Sequence, residues 1–194
     1  MSRTLLIVPR IYAKSEFREA VSYVPDDYDA QSEEFWTYVA DKLRAFRGRI
    51  RWVFRESLSG DTEEALKEAS GDEGRGLSLI TGLIEEGAKL KPTEDRILMA
   101  ETESWLKMIR GSSNDALVGL YEQSLAERNH HISDLIDQSL GEGEVGLLLI
   151  DSRRKLELPK DIRIVRVLPF DPADYLNAEI VKARLRLGKT QGGG

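Results

Sequence analysis

Between Leu125 and Ile132 the chain reads Ala-Glu-Arg-Asn-His-His, and this places Arg128 and Asn129 where an aliphatic residue is due. The apolar positions Leu117, Leu120/Tyr121, Leu125, Ile132, Leu135/Ile136 and Leu140 recur at helical spacing, so residue 128 or 129 should share their inward side. A guanidinium in that slot is costly to desolvate unless acids and carbonyls satisfy its donors. Glu94, Asp95 and Asp151 are the candidate partners. Such a residue either clamps the helix to its neighbours through a buried ion pair, sits in a site that receives an anion, or snorkels to water.

A second group stands at the ends of two continuous apolar runs, Leu5-Leu6-Ile7-Val8 and Val145 to Ile150. Arg10 and Tyr12 follow the first; Asp151, Arg153 and Arg154 follow the second. Ligands of open parallel sheets favour the crevice beyond the carboxyl ends of the strands. Guanidinium forks there suit a carboxylate or phosphate, so Arg10, Tyr12, Arg128, Asn129, Arg153 and Arg154 form the expected ligand-binding set. Solvated loop arginines are the plainer reading of the same residues. Glu94 and Asp151 are the two candidates for a catalytic general base.

The inventory excludes much else. There is no cysteine, which removes disulfides, thiolate metal sites and thiol nucleophiles. The two histidines, His130 and His131, are adjacent on a helix and about 100° apart, so they cannot readily share one metal. No metal and no cofactor is assigned on this basis. A net charge of −6 works against whole-molecule attraction to phosphate backbones or anionic membranes, so nucleic acid is a disfavoured partner. The arginines at 47, 49, 51 and 55 surround Trp52 and Phe54 in the manner of an RNA-binding strand, but those aromatics should share a core face with Ile50, leaving a solvated edge. The N-terminal apolar run is too short for a signal peptide and no window reaches a membrane span; the expectation is a cytoplasmic protein.

The positioning elements follow from periodicity. Runs 5–8 and 145–150 suit strands buried on both faces of a parallel sheet, while 50–55 and 162–167 are mixed, as at an edge or a wetter face. Helices are expected over 31–47, over 62–69 opened by Asp61 and Thr62, and around Leu77 to Ile84 with a stop at Gly87. A further helix should start at Thr93-Glu94-Asp95, with the N-cap and two acids in its first turn, followed by the long helix from Asp115 to Leu140. Asp171-Pro172 opens a last helix through about Leu187. The glycine-rich stretch Ser70 to Gly76 lacks both the third glycine and the preceding buried strand of a dinucleotide fingerprint, and there is no Walker-type sequence. Strands alternating with helices, without a hairpin, give an α/β layered domain with a mainly parallel sheet over 1–170, a C-terminal helix over 171–187 and a flexible tail over 188–194. The cationic run Lys182, Arg184, Arg186 and Lys189 is expected to complement the dipole of that last helix.

The order of a buried N-terminal strand, Gly87-Ala88 followed by Thr93-Glu94-Asp95, the helical Glu127-Arg128-Asn129 and a buried strand after it resembles the TraB/Tiki and erythromycin-esterase-like superfamily, and small bacterial and archaeal proteins similar to it. That resemblance implies an acid, an arginine and two histidines set after strands, and in some members metal-dependent peptidase or esterase chemistry. Here Tyr12 and Arg154 stand where the pattern has histidine, and no Gly-x-x-His occurs. The resemblance implies that Glu94 and Arg128 are the inherited acid and arginine.

Three functions remain from the sequence. The first is a binding or regulatory module for a small anionic ligand or a partner's acidic group. The second is a hydrolase using Glu94 or Asp151, with carboxylates able to hold a hard metal. The third is a homo-oligomeric interaction protein joined through Tyr175, Leu176, Ile180, Val181 and Leu185 of the last helix.

Overall fold

A computed structural model describes residues 2–60, 75–111 and 114–191, with the side chains of 75 and 187–191 excepted. In chain order the elements are β1 (Arg3–Pro9), α1 (Lys14–Val21), α2 (Tyr28–Leu43) with a 3₁₀ turn Arg44–Phe46, β2 (Ile50–Ser59) and α3 (Arg75–Glu85). Then come β3 (Lys89–Glu94), α4 (Arg96–Gly111), α5 (Asp115–Ser139), β4 (Val145–Ile150), β5 (Ile162–Arg166) and α6 (Pro172–Gln191). The five strands form one all-parallel sheet in the order β3-β2-β4-β1-β5, flanked by helices: an α/β layered fold. The expected helix over 62–69, most of the glycine-rich stretch and residues 192–194 of the tail lie outside the described residues. The last helix runs on to Gln191, past the expected stop near Leu187: it passes through Gly188, since a single glycine inside a helix costs only about 1 kcal/mol relative to alanine and does not by itself end it.

β1 and β4 are adjacent at the sheet centre, and both are nearly all aliphatic because both their faces are covered. On one face Leu6, Val8, Leu147 and Leu149 meet Phe35, Val39 and Leu43 of α2 and Ile80 and Leu83 of α3. On the other, Leu5, Leu148 and Ile150 meet Ile132, Ile136 and Leu140 at the C-terminal half of α5. Gly146 belongs to this second face. A Cβ there would stand 3.0 Å from Phe54 Cε2 and 3.3 Å from Leu5 and Leu140 methyls, so the missing side chain is what lets the Phe54 ring lie against the strand.

Three expectations about the strands are corrected. β2 is an inner strand between β3 and β4, not an edge, since Lys89–Glu94 pairs outside it as a further strand. Thr93 and Glu94 therefore end β3, and the N-cap of α4 is Asp95, whose Oδ1 accepts from the N–H groups of Ile97 and Leu98. Nor do Trp52 and Phe54 share a face with Ile50. The register passes from Ile50–Val145 to Trp52–Gly146, so two steps of β2 match one of β4, and this bulge turns the aromatics toward α5 while Ile50 and Val53 face α2 and α3. A second irregularity follows between Arg55 and Ser59, with Ser57 at φ 67°. Glu56 thus keeps the face of Phe54, and Leu58 returns to the opposite core. β5 is an edge as its sequence predicts: Arg163 and Arg166 are exposed and so is Ile164.

α4 and α5 form an antiparallel pair that carries the inward arginine. Thr102, the buried residue of α4, shares a 2.7 Å hydroxyl contact with the buried Ser124 of α5. One turn farther along α5 comes Arg128, and another turn brings Ile132 onto the sheet.

Candidate functional site

The guanidinium of Arg128 is buried and meets Glu94 as a two-pronged pair: Nε donates to Oε2 at 3.0 Å and Nη2 to Oε1 at 2.6 Å. Only 8% of the Arg128 side chain and 1% of that of Glu94 reach solvent. Of the three candidates, Glu94 is the partner because it ends β3 directly beneath α5; Asp95 is spent on the α4 cap and Asp151 on other donors. The fork geometry matches the planar carboxylate, which a lysine could not reproduce.

The pair extends into a chain of alternating charge. Arg154, in the loop after β4, sends Nε to Oε1 of Glu56 at 2.6 Å and Nη1 to Oδ1 of Asn129 at 3.2 Å, while its Nη2 lies 3.7 Å from Glu94. The other oxygen of Glu56 accepts the backbone N–H of Asp151 at 2.6 Å. Arg128, Glu94, Arg154 and Glu56 therefore balance two cations against two acids and bind α5, β3, β2 and the loop after β4 into one unit. Isolated buried charges would be expelled or neutralised; alternating ones satisfy each other. Glu56 is the residue sequence reasoning missed. Its signal was available, since it continues the Trp52, Phe54 alternation and so lies on a face otherwise buried.

Beyond this sealed layer lies a second group, at the ends of β1 and β4. Asp151 accepts from the backbone N–H, Nε and Nη2 of Arg153, the last at 2.6 Å, and from the Tyr12 phenol at 3.0 Å. Burial pushes the Asp151 carboxyl up, but the Arg153 hydrogen bonds and charge and the Tyr12 donor outweigh it and hold the group below its ordinary range. Burial, reinforced by the Asp151 charge, raises the Tyr12 phenol, which keeps its proton and donates it to Asp151. The guanidinium carbons of Arg10 and Arg153 lie 5.5 and 5.2 Å from the centre of the Tyr12 ring. Arg10 also donates from Nη2 to Glu16 at 2.6 Å, and its buried Nε has no acceptor among the described residues. The Arg10 side chain is 31% exposed and that of Arg153 60%.

The expected residues thus separate into two layers. Glu94, Arg128, Asn129 and Arg154 meet in the closed one; Arg10, Tyr12, Asp151 and Arg153 meet in the outer one. His130 stands at the surface, 3.3 Å from Asp134, and no group of three or more His, Asp or Glu side chains among the described residues is placed to hold a metal ion. The arginines around β2 are held locally, Arg47 by Glu86 and Arg51 by Glu144. In α6, Lys182 pairs with Glu179 well before the helix end, and Arg186 lies 5.1 Å from the Tyr23 ring, so both cations fold back toward the segment after α1 rather than cap the helix dipole. No helix of the described residues is long and apolar enough to cross a membrane.

The strand order explains why the outer layer forms where it does. From β1 the chain leaves over the α2 face to reach β2, and from β4 it leaves past Leu156 and Leu158, on the α5 face, to reach β5 on the other side of β1. The two connections leave adjacent strands for opposite faces of the sheet, each crossing over the other's strand, and ligands of open parallel sheets favour the carboxyl ends of strands at such points. Comparison of the chain with protein-family models, with curated proteins and with solved structures finds no match in any of the three.

Proposed function

We propose that this protein is a binding module for a small anion, a carboxylate or a phosphate, received between Arg10 and Arg153 in the crevice at the ends of β1 and β4. One observation carries the reading. Where the connections of β1 and β4 leave for opposite faces of the sheet, two partly exposed guanidinium groups converge on Tyr12; each has one acid, Glu16 or Asp151, and the buried Nε of Arg10 has no acceptor among the described residues. A guanidinium with donors to spare is a receptor for an oxyanion. In this reading Arg128 and Arg154 do not touch the ligand; they fix the loop that carries Arg153. We infer likewise that Glu94 and Arg128 are a remnant of the acid and arginine of a TraB/Tiki-like site, turned to scaffolding.

The hydrolase reading draws less support. Asp151 is surrounded by donors and held low, which makes it a weak base at neutral pH, and both oxygens of Glu94 face Arg128. The assembly reading loses Leu176 to the core, with Tyr175 and Ile180 packed beside it, and keeps Val181 at 55% and Leu185 at 63% exposure.

The test is calorimetric titration with inorganic phosphate and with citrate, backed by thermal shift, on the wild type and on Arg10→Ala/Arg153→Ala. Saturable binding that the double variant loses supports the module; equal responses in both proteins, or none in either, remove it.

A further inference from the structure

The residues gathered at the ends of β1 and β4 also hold the C-terminal helix, and we infer that the loop Asp151–Arg154 and the docking of α6 form one coupled unit, so that loosening either loosens the other. Two independent links join them. Ser152 Oγ donates to Asp171 Oδ1 at 2.5 Å, and that same oxygen accepts the Ala173 N–H at 2.9 Å, which makes it the cap of the first turn of α6. Tyr12 provides the second link. Its phenol reaches Asp151, while its ring belongs to the buried cluster of Phe17, Val21, Tyr28, Ala173 and Leu176 that seats α6 against α1. Its carbonyl accepts the Tyr28 phenol at 2.5 Å. Glu16, the acceptor of Arg10, also takes the Ala13 N–H and so fixes the start of α1, on which that cluster rests.

Glu56 and Asn129 hold the loop from the inner side, through Arg154 and the Asp151 N–H; toward α6 its contacts are α6's own cap and core. A helix end whose cap is shared with a loop frays when the loop opens, and the cost is felt in both places by reciprocity. The coupling stands on these contacts alone. That an anion drives it rests on the binding reading above: an oxyanion bridging Arg10 and Arg153 would order the loop and, through Ser152 and Tyr12, the first turns of α6. A ligand that quiets one part and leaves less disorder for the other couples them without a large movement.

Hydrogen exchange on the full chain, followed by mass spectrometry, tests this in both directions. Ser152→Ala deletes the cap link and leaves the arginines in place; amides of residues 173–178, within the segment 172–178, should exchange roughly three- to tenfold faster, as loss of one hydrogen bond of ordinary strength implies. Leu176→Ala loosens the far end of the unit, and exchange in 151–155 should rise with it. If Leu176→Ala speeds α6 while 151–155 stays at the wild-type rate, or Ser152→Ala leaves 172–178 unchanged, the coupling is overturned. Inorganic phosphate provides the third arm. Slowing of 151–155 and 172–178 together supports the unit, and slowing of the loop alone overturns it. Absence of phosphate binding by calorimetry counts against the binding reading, and the two variants then decide the coupling.

Discussion

Replacing Arg128 by methionine keeps most of the side-chain volume and removes the charge, leaving Glu94 buried with only distant help. Among the described residues the remaining donors are Arg154 Nη2 at 3.7 Å and the Ser57 N–H at 3.4 Å, neither of which matches the 2.6 Å fork contact that is lost. Stranding one member of a buried ion pair costs about 3–5 kcal/mol. For a chain of this size that lowers the melting temperature by about 6–20 °C. Glu94→Leu should cost a comparable amount by stranding Arg128. The double variant, Arg128→Met with Glu94→Leu, replaces both charges by apolar volume and should recover about 2 kcal/mol or more of the summed loss, since the desolvation of both ions is removed together. Urea denaturation of the four proteins, monitored by circular dichroism, gives the coupling. Single-variant costs that add to within about 0.5 kcal/mol in the double variant would refute the argument that the two residues exist for each other.

Glu56→Gln should destabilise by about 2–3 kcal/mol, because the Arg154 guanidinium loses its ionised acceptor; the urea midpoint reports it. Asp151 has a lowered native pKa, so the stability it contributes is in full above about pH 4, the value of a free aspartate, and is lost as pH falls through the lower native value. Arg153→Ala should therefore reduce the melting temperature most above about pH 4, with the two proteins converging in stronger acid; a gap independent of pH would dissociate Arg153 from the Asp151 charge. Gly146→Ala puts a methyl 3.0 Å from the Phe54 ring on a central strand and should cost about 1–3 kcal/mol, read from thermal unfolding; a neutral result would mean that Phe54 is free to shift.

The parts of the fold that are legible in the sequence are those where burial acts on both faces. Leu5 to Val8 and Val145 to Ile150 announce central strands because nothing polar is tolerated there. β3 gives no such sign: Lys-Leu-Lys-Pro-Thr-Glu has one aliphatic residue and a proline, a composition that an edge strand accepts and a central one would not. With β3 unseen, β2 had to read as the edge. The bulge at Arg51 adds a one-residue slip that exchanges the faces of everything after it, and period-two reasoning cannot detect this in advance. For the site, Arg128 is legible because it interrupts a stripe, and its partner follows from the short list of acids at strand ends. The burial of Glu56 is legible from the Trp52, Phe54 alternation; that it faces α5, and so meets Arg154 and closes the inner layer, is not, because that depends on the slip.

The two flanks of the sheet have one further consequence. β3 presents Lys89, Lys91 and Pro92, and β5 presents Arg163 and Arg166, so neither border offers the flat, uncharged ribbon that an incoming strand needs for pairing. The sheet is finished at five strands, and lateral growth into fibres is discouraged from both directions.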